Sequence, residues 1–374
     1  MIYFDNAATS RFKPKSALNI LINELTKSSN SGRSAHRDAI TTALKIEETR
    51  AIIQDKLAAQ SANVVFTKNC TEALNLCLLK GGFKGHIIST VLEHNSTLRP
   101  LYRLNSTDKV AVTLIEPNDE GFVTASEIEP YIRRDTSLIA VNFVSNVTGA
   151  VADIEGIGKL AKSKNIVFLV DGAQGVPHIY FDFLKMGVDM LALPGHKGLH
   201  GFQGTGVLVF SDKVKIAPLI LGGTGTYSSS VTQPEGYPES LESGTLFSAG
   251  IAALGEAVRW TYSHLREGNA LIEKIGGELI YGLTSLGVKV YTKDARAGIV
   301  SFNLGDIPSS DVADLLNAAD IAVRSGLHCA PLLHKYYGTE KQGMVRASVG
   351  FNNTDRDAAA FLNAIEKIVK HTSA

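Results

Sequence analysis

The chain has 374 residues, 44% hydrophobic and 20% charged, with Lys+Arg and Asp+Glu balanced at 37 each. That composition excludes a disordered or fibrous chain, and zero net charge without a basic run gives no footing for nucleic acid or an anionic membrane surface. No apolar stretch approaches the ~18 residues of a membrane span, and Met1–Asn6 lacks the charged and apolar regions of a signal peptide. The three cysteines, Cys70, Cys77 and Cys329, are too few and too oddly placed for a disulfide framework, so a reducing cytoplasm is the expected setting.

The length exceeds one ordinary core and predicts two units. After the small polar segment Tyr3–Ser10, helical patterning runs from Pro14 to about Lys27, a polar loop covers Ser28–His36, and a long helix continues to Leu57. From Val64 the pattern alternates. Strands are predicted at Val64–Phe66, His86–Thr90, Val110–Ile115, Leu138–Phe143, Ile166–Val170, Met190–Leu193 and Gly206–Phe210, with helices at Thr71–Leu79 and Ile154–Lys164 among them. Such alternation implies an α/β fold with a mostly parallel sheet covered by helices. A loop-rich stretch, Leu221–Thr245, is long enough to be functional or to reach a partner subunit. Helices over about Gly250–Glu267 and on to Leu286 follow. From Val288 a smaller α+β unit is predicted, with strands Val288–Tyr291, Ile299–Leu304, Ile321–Arg324 and Val345–Ser348 and helices Ser310–Ala319 and Thr354–His371.

Ligands of such sheets sit at the carboxyl ends of the strands, where this sequence clusters polar residues: Glu93-His94-Asn95, Ser145-Asn146, Asp171-Gly172-Ala173-Gln174 and Gly195-His196-Lys197. Lys197 follows a buried strand and a Pro-Gly turn; desolvation there lowers a lysine's pKa and favours Schiff-base chemistry, although the segment alone also fits a surface turn. Asp171 ends an apolar strand, where a carboxylate can face a ring cation or simply cap a turn. Thr67–Glu72 joins a strand to a helix, a place for a phosphate or for an ordinary N-cap. Taken together, the lysine and the carboxylate would be the two fixed points of a pyridoxal phosphate site, with the Thr67–Glu72 turn as its phosphate cradle.

These motifs, with Asp5-Asn6-Ala7-Ala8-Thr9, Glu242-Ser243-Gly244-Thr245, Val323–Ala330 and Arg346-Ala347-Ser348, resemble nearly end to end the class V, aspartate-aminotransferase-fold (fold type I) pyridoxal phosphate enzymes, in their cysteine desulfurase and selenocysteine lyase branch. The resemblance implies a large cofactor-binding domain over 14–250 and a small domain from 1–13 and 251–374 that carries the Cys329 loop. It implies Lys197 as the Schiff-base lysine, Asp171 as partner of the pyridine nitrogen, and His94 stacked on the ring and assisting proton transfer. Gln174 and Asn146 are then expected at the ring hydroxyl and substrate region, and Thr71, the Cys70 backbone and His196 at the phosphate. Thr245 is expected to reach the phosphate of the other subunit of a homodimer. Arg346 would clamp the substrate carboxylate, with Arg324, His36, Asn146 and Ala8 nearby. Cys329 would be the nucleophile that removes sulfur from L-cysteine as a persulfide, leaving alanine and passing the sulfur to an acceptor, with Arg324 and His328 favouring its thiolate. Selenocysteine lyase, or another class V aminotransferase or β-lyase, is the alternative, and no metal is implied. Cys70 and Cys77, seven apart on one helix, are assigned to packing. Pro194 and Leu327 depart from the usual serine and histidine, as does Leu246-Phe247-Ser248 from the usual Pro-Asn.

Overall fold

A computed structural model of the chain describes residues 1–31, 36–107 and 110–372; the middle of the polar loop predicted at Ser28–His36 lies outside them. In chain order the strands are β1 (Ile2–Tyr3), β2 (Asn63–Thr67), β3 (His86–Thr90), β4 (Ala111–Ile115), β5 (Thr136–Asn142), β6 (Val167–Asp171), β7 (Met190–Pro194), β8 (Gly206–Phe210), β9 (Lys289–Val290), β10 (Ile299–Asn303), β11 (Ile321–Ala322), β12 (Arg324–Gly326) and β13 (Met344–Ser348). The helices are α1 (Lys15–Lys27), α2 (Arg37–Lys56), α3 (Cys70–Lys80), α4 (Asn95–Thr107), α5 (Ala125–Ile128), α6 (Ile154–Ser163), α7 (Ser248–Ser263), α8 (Leu265–Ser285), α9 (Ser309–Ala318), α10 (Pro331–Tyr336) and α11 (Asp355–Thr372).

Seven strands form one sheet in the order β2-β8-β7-β6-β5-β3-β4. Helices cover both faces, so β3, β7 and β8 are buried throughout and read as continuous runs rather than alternating ones. The sheet is parallel except for β8, which runs against both β2 and β7. Register then fixes one edge: Asn142 pairs with Asp171, Asp171 with Ala192, Pro194 with Gly206, and Gly206 with Thr67. Four strand pairings therefore bring the ends of five strands, with the polar Asn142, Asp171 and Thr67, to the same rim.

The C-terminal unit is a four-stranded antiparallel sheet, β12-β13-β10-β9, backed by α8, α9 and α11 through Ile272, Leu279, Val312, Leu316, Phe361 and Ile365. The first residues belong with it in space. β1 pairs in parallel with β11, and the fully buried Phe4 packs edge-on against Phe361 at 5.6 Å. Residue 250 falls inside α7, whose Ile251, Leu254 and Val258 pack into the core of the seven-stranded sheet. The predicted strand Ile321–Arg324 is two short strands, β11 and β12, in different sheets.

Candidate active site

The loop after β7 carries Lys197. Its neck is closed by the Gly201 amide donating to the Gly195 carbonyl at 2.8 Å, while the Gly195 amide donates to Thr205 O at 2.9 Å. A Cβ on Gly195 would lie 2.1 Å from Thr205 Oγ1, so only glycine closes this turn. Lys197 lines a cavity of about 230 Å³ together with Ala8, His94, Asn146, Asp171, Gln174 and Arg346. Desolvation pulls its ammonium below the ordinary lysine range, and Asp171 pulls the other way.

Asp171, at the end of β6, is 5% exposed, and burial raises its carboxyl. Its Oδ1 accepts from the Ala173 amide at 3.0 Å and from the Cys70 thiol at 3.7 Å. The Cys70 side chain thus does more than pack: burial pushes it well above the ordinary thiol range, and it stays a neutral donor. Cys77 is fully buried, as expected for packing.

At the start of α3, Asn69 caps the helix by accepting from the Glu72 amide at 2.9 Å, and Thr67 Oγ1 donates to Asn69 O at 2.9 Å. The amides of Cys70 and Thr71 precede the first possible i→i−4 partner and are left for an anion, as at any helix N-terminus. Asn69, Cys70 and Thr71 all line the cavity, as do His196 and Pro194. Gly206 lies directly beneath: a Cβ there would come within 2.5 Å of Asn69 C and 2.6 Å of Thr67 Oγ1. His196 Nδ1 is 3.0 Å from Thr9 Oγ1 and is held neutral, with its pKa pulled down to about 4 by burial.

His94 precedes α4. The Ser96 amide donates to its Nδ1 at 3.1 Å, and Ser96 Oγ lies 2.6 Å from the same atom, which assigns the proton to Nε2. Burial, reinforced by Lys197 and the nearby arginines, lowers its pKa to about 4, so at neutral pH His94 is a neutral N–H donor. Its neighbour Glu93 is fully buried; Oε1 accepts from the Thr90 hydroxyl at 2.7 Å and the Asn142 amide at 3.0 Å, while Oε2 has no partner among the described residues.

Arg346, on β13, is 1% exposed. Nη1 donates to Asn146 O at 2.7 Å, Nη2 pairs with Asp5 at 3.2 Å, and Nε has no partner among the described residues. Arg324 is its cross-strand neighbour and lines the same cavity. Two guanidinium groups against one carboxylate leave a surplus of positive charge for an incoming anion. Asn146 donates through Nδ2 to His328 O at 2.7 Å, and its buried Oδ1 has no partner among the described residues. Gln174 Nε2 is occupied by Ala7 O at 2.9 Å.

Cys329 is exposed, beside the cavity-lining His328. Its loop is held on both sides, since His328 O accepts from Asn146 and Cys329 O accepts from the Asn95 amide at 2.7 Å, next to His94. His328 and Cys329 both take the left-handed region, with φ of 49° and 58°, a strained pair of non-glycine residues in a clamped loop. One expectation is corrected here. His328 is buried with Nε2 3.0 Å from Met344 O, and desolvation drives its pKa well below the histidine range, so it adds no positive charge beside Cys329.

Two predicted residues lie away from this cavity within one chain. His36 is exposed and caps α2 by accepting from the Ala39 amide. Thr245 lines a second cavity, of about 330 Å³, with Glu47, Arg50, Gly223 and Glu242. Glu242 anchors that loop, accepting from Arg50 at 3.0 Å and the Phe66 amide at 2.7 Å. Sequence reasoning assigned no role to Asp5, Ser96 or Gly206. Asp5 stood in a quoted motif and Ser96 two residues past His94, but neither position advertises its partner.

The family description for class-V aminotransferases matches residues 2–361. The chain belongs to that family. A probable cysteine desulfurase of Borreliella burgdorferi is 33% identical, the match covering all of this chain and 93% of that protein. One from Pyrococcus abyssi is 35% identical over 99% of this chain and 94% of its own length. Among solved structures, the apo cysteine desulfurase of Thermococcus onnurineus NA1 superposes with a TM-score of 0.90 at 34% identity, covering 99% of this chain and 95% of that one. The class V architecture accounts for the seven-stranded sheet and its polar rim.

Proposed function

We propose that this chain is a cysteine desulfurase that uses pyridoxal 5′-phosphate, converts L-cysteine to L-alanine and takes the sulfur onto Cys329. The observation that carries the reading is the convergence of Lys197, Asp171, His94 and Arg346 on one cavity with the exposed Cys329 beside it. Pyridoxal phosphate fits the residues present: the start of α3 offers amides to a phosphate, Asp171 faces the cavity with Oδ1 filled by the Ala173 amide and the Cys70 thiol, and Asn146 Oδ1 and Arg346 Nε are a buried acceptor and a buried donor with no partner among the described residues. When bound, the cofactor supplies an electron sink for negative charge at the substrate α-carbon.

This chain's residues do the rest. Asp171 would face the ring nitrogen and keep a proton there. Arg346, already braced by Asp5 and Asn146 O, takes the substrate carboxylate and fixes the α-carbon over Lys197. The amine of Lys197, whose charged form burial disfavours, accepts the α-proton. His94 offers its Nε2 proton from a neutral ring. The Cys329 thiolate attacks the substrate sulfur: an S–S bond forms, the carbon–sulfur bond breaks, and its electron pair stays with the carbon fragment, which takes a proton and leaves as alanine. The persulfide then passes to an acceptor thiol or protein.

The working form we infer is a homodimer, with Thr245 reaching the other subunit's cofactor phosphate. Supporting it, Leu18, Ile22 and Leu25 form an exposed stripe on α1, Ile40 and Leu44 a second on α2, and the loop that follows β8 exposes Leu221, Tyr227 and Val231. A reducing cytoplasm suits the free thiols. No helix among the described residues is long and apolar enough to cross a membrane. Turnover of L-cysteine, selenocysteine and cysteine sulfinate, assayed side by side for alanine and the released chalcogen, tests the reading. Alanine from cysteine that depends on Cys329 supports it. Turnover of selenocysteine alone makes the chain a lyase, and keto-acid formation with a second amino acceptor makes it an aminotransferase.

A further inference from the structure

Lys13 occupies an unusual position against the Lys197 loop. Its Nζ donates to two carbonyls, His196 O at 3.2 Å and Gly201 O at 2.6 Å, one just before Lys197 and one at the neck of the loop. His196 O also accepts from the Ser10 amide at 3.0 Å and the Thr9 hydroxyl at 3.4 Å. The Phe202 ring, 5.9 Å away, covers the ammonium. Burial pulls Lys13 down to about 8, so its charge is held there at a desolvation cost that its contacts must offset. An exposed lysine would serve solubility without that cost.

The segment that delivers Lys13 is tied at its other end to the C-terminal unit. Asp5 pairs with Arg346 at 3.2 Å, Asn6 Nδ2 donates to Ser348 O at 3.0 Å and the Ala7 amide to Ser348 Oγ at 2.9 Å. One short run of chain therefore holds the guanidinium proposed for the substrate carboxylate and the loop of the lysine proposed for the α-proton. We propose that Lys13 is a positioning residue for Lys197: its ammonium clamps the Gly195–Gly201 loop from inside and sets where the Lys197 amine sits relative to Arg346. The inference rests on the proposed role of Lys197.

The test uses the full chain with Lys13→Met, Lys13→Arg and Lys197→Ala. In the cofactor-free protein, hydrogen exchange of the amides within residues 195–201 is expected to speed up about tenfold or more in Lys13→Met, with the amides of β6 and β7 unchanged, because a charge-assisted clamp is lost locally. Lys13→Arg keeps two donors and restores protection. With pyridoxal phosphate added, the pH midpoint of its visible absorbance moves in Lys13→Met and returns in Lys13→Arg. Wild-type exchange and an unmoved midpoint in Lys13→Met overturn the proposal, as does faster exchange spread evenly over the whole chain. The two readings separate cleanly. If Lys197→Ala still gives the wild-type absorbance, the role of Lys197 fails and the positioning claim falls with it, even where the exchange data show the loop to be clamped.

Discussion

Replacing Glu93 by Gln tests the buried electrostatics beneath the site. Glu93 is fully buried, and burial raises its carboxyl to about 8 from an ordinary 4.5, with the hydrogen bonds from Thr90 and Asn142 acting the other way. The folded chain thus keeps this proton up to about pH 8 while the unfolded chain releases it above pH 4.5. Over that window the unfolded state binds fewer protons, so stability falls as pH rises. At 1.36 kcal/mol per pH unit the ceiling is about 5 kcal/mol, and with relaxation around the group the expected loss is on the order of 2–4 kcal/mol. Glutamine keeps the shape and an acceptor for Thr90 and Asn142 but cannot ionise. Its amide places two N–H donors where the protonated carboxyl has one O–H, so one more buried donor goes unpaired, a pH-independent cost of about 1–3 kcal/mol. Urea denaturation of the cofactor-free protein at pH 5, 6.5 and 8 should therefore show the variant weaker at pH 5 and gaining on the wild type toward pH 8. Stability profiles of wild type and variant that run parallel from pH 5 to 8 would refute the reasoning.

Arg346→Lys should raise KM for cysteine by tenfold to a hundredfold, because a point-like ammonium cannot serve Asp5, the Asn146 carbonyl and a substrate carboxylate together; steady-state kinetics checks it. Gly206→Ala should weaken pyridoxal phosphate binding by more than tenfold in equilibrium dialysis, since the added Cβ meets the Asn69 backbone at 2.5 Å and must displace the start of α3.

Much of the fold was legible because parallel strands covered on both faces are uninterrupted apolar runs; His86–Thr90 and Gly206–Phe210 were read at their bounds. Asp171 stood out because it ends such a run, and Lys197 because it follows one across a tight Pro-Gly turn. Other features were hidden. Pro100 inside α4 broke the pattern of a helix that starts immediately after His94. The reversed direction of β8 brings Gly206 to the polar rim of the sheet, and no local signal announces a strand's direction. The Asp5–Arg346 pair spans 341 residues, and the neutrality of His328 depends on burial that an adjacent Ser-Gly turn does not suggest. His36 and Thr245 were assigned by family resemblance, and in one chain neither meets the cavity that holds Lys197.

The central claim is that Cys329 takes the sulfur. Incubating the cofactor-loaded protein with one equivalent of L-cysteine in the absence of any acceptor thiol, then measuring the mass of the peptide that contains Cys329, tests it directly. The account predicts the added mass of one sulfur atom on Cys329 with a matching amount of alanine, and neither in Cys329→Ala. Alanine formed at the wild-type rate by Cys329→Ala, or added sulfur found on Cys70 or Cys77 instead, would contradict it.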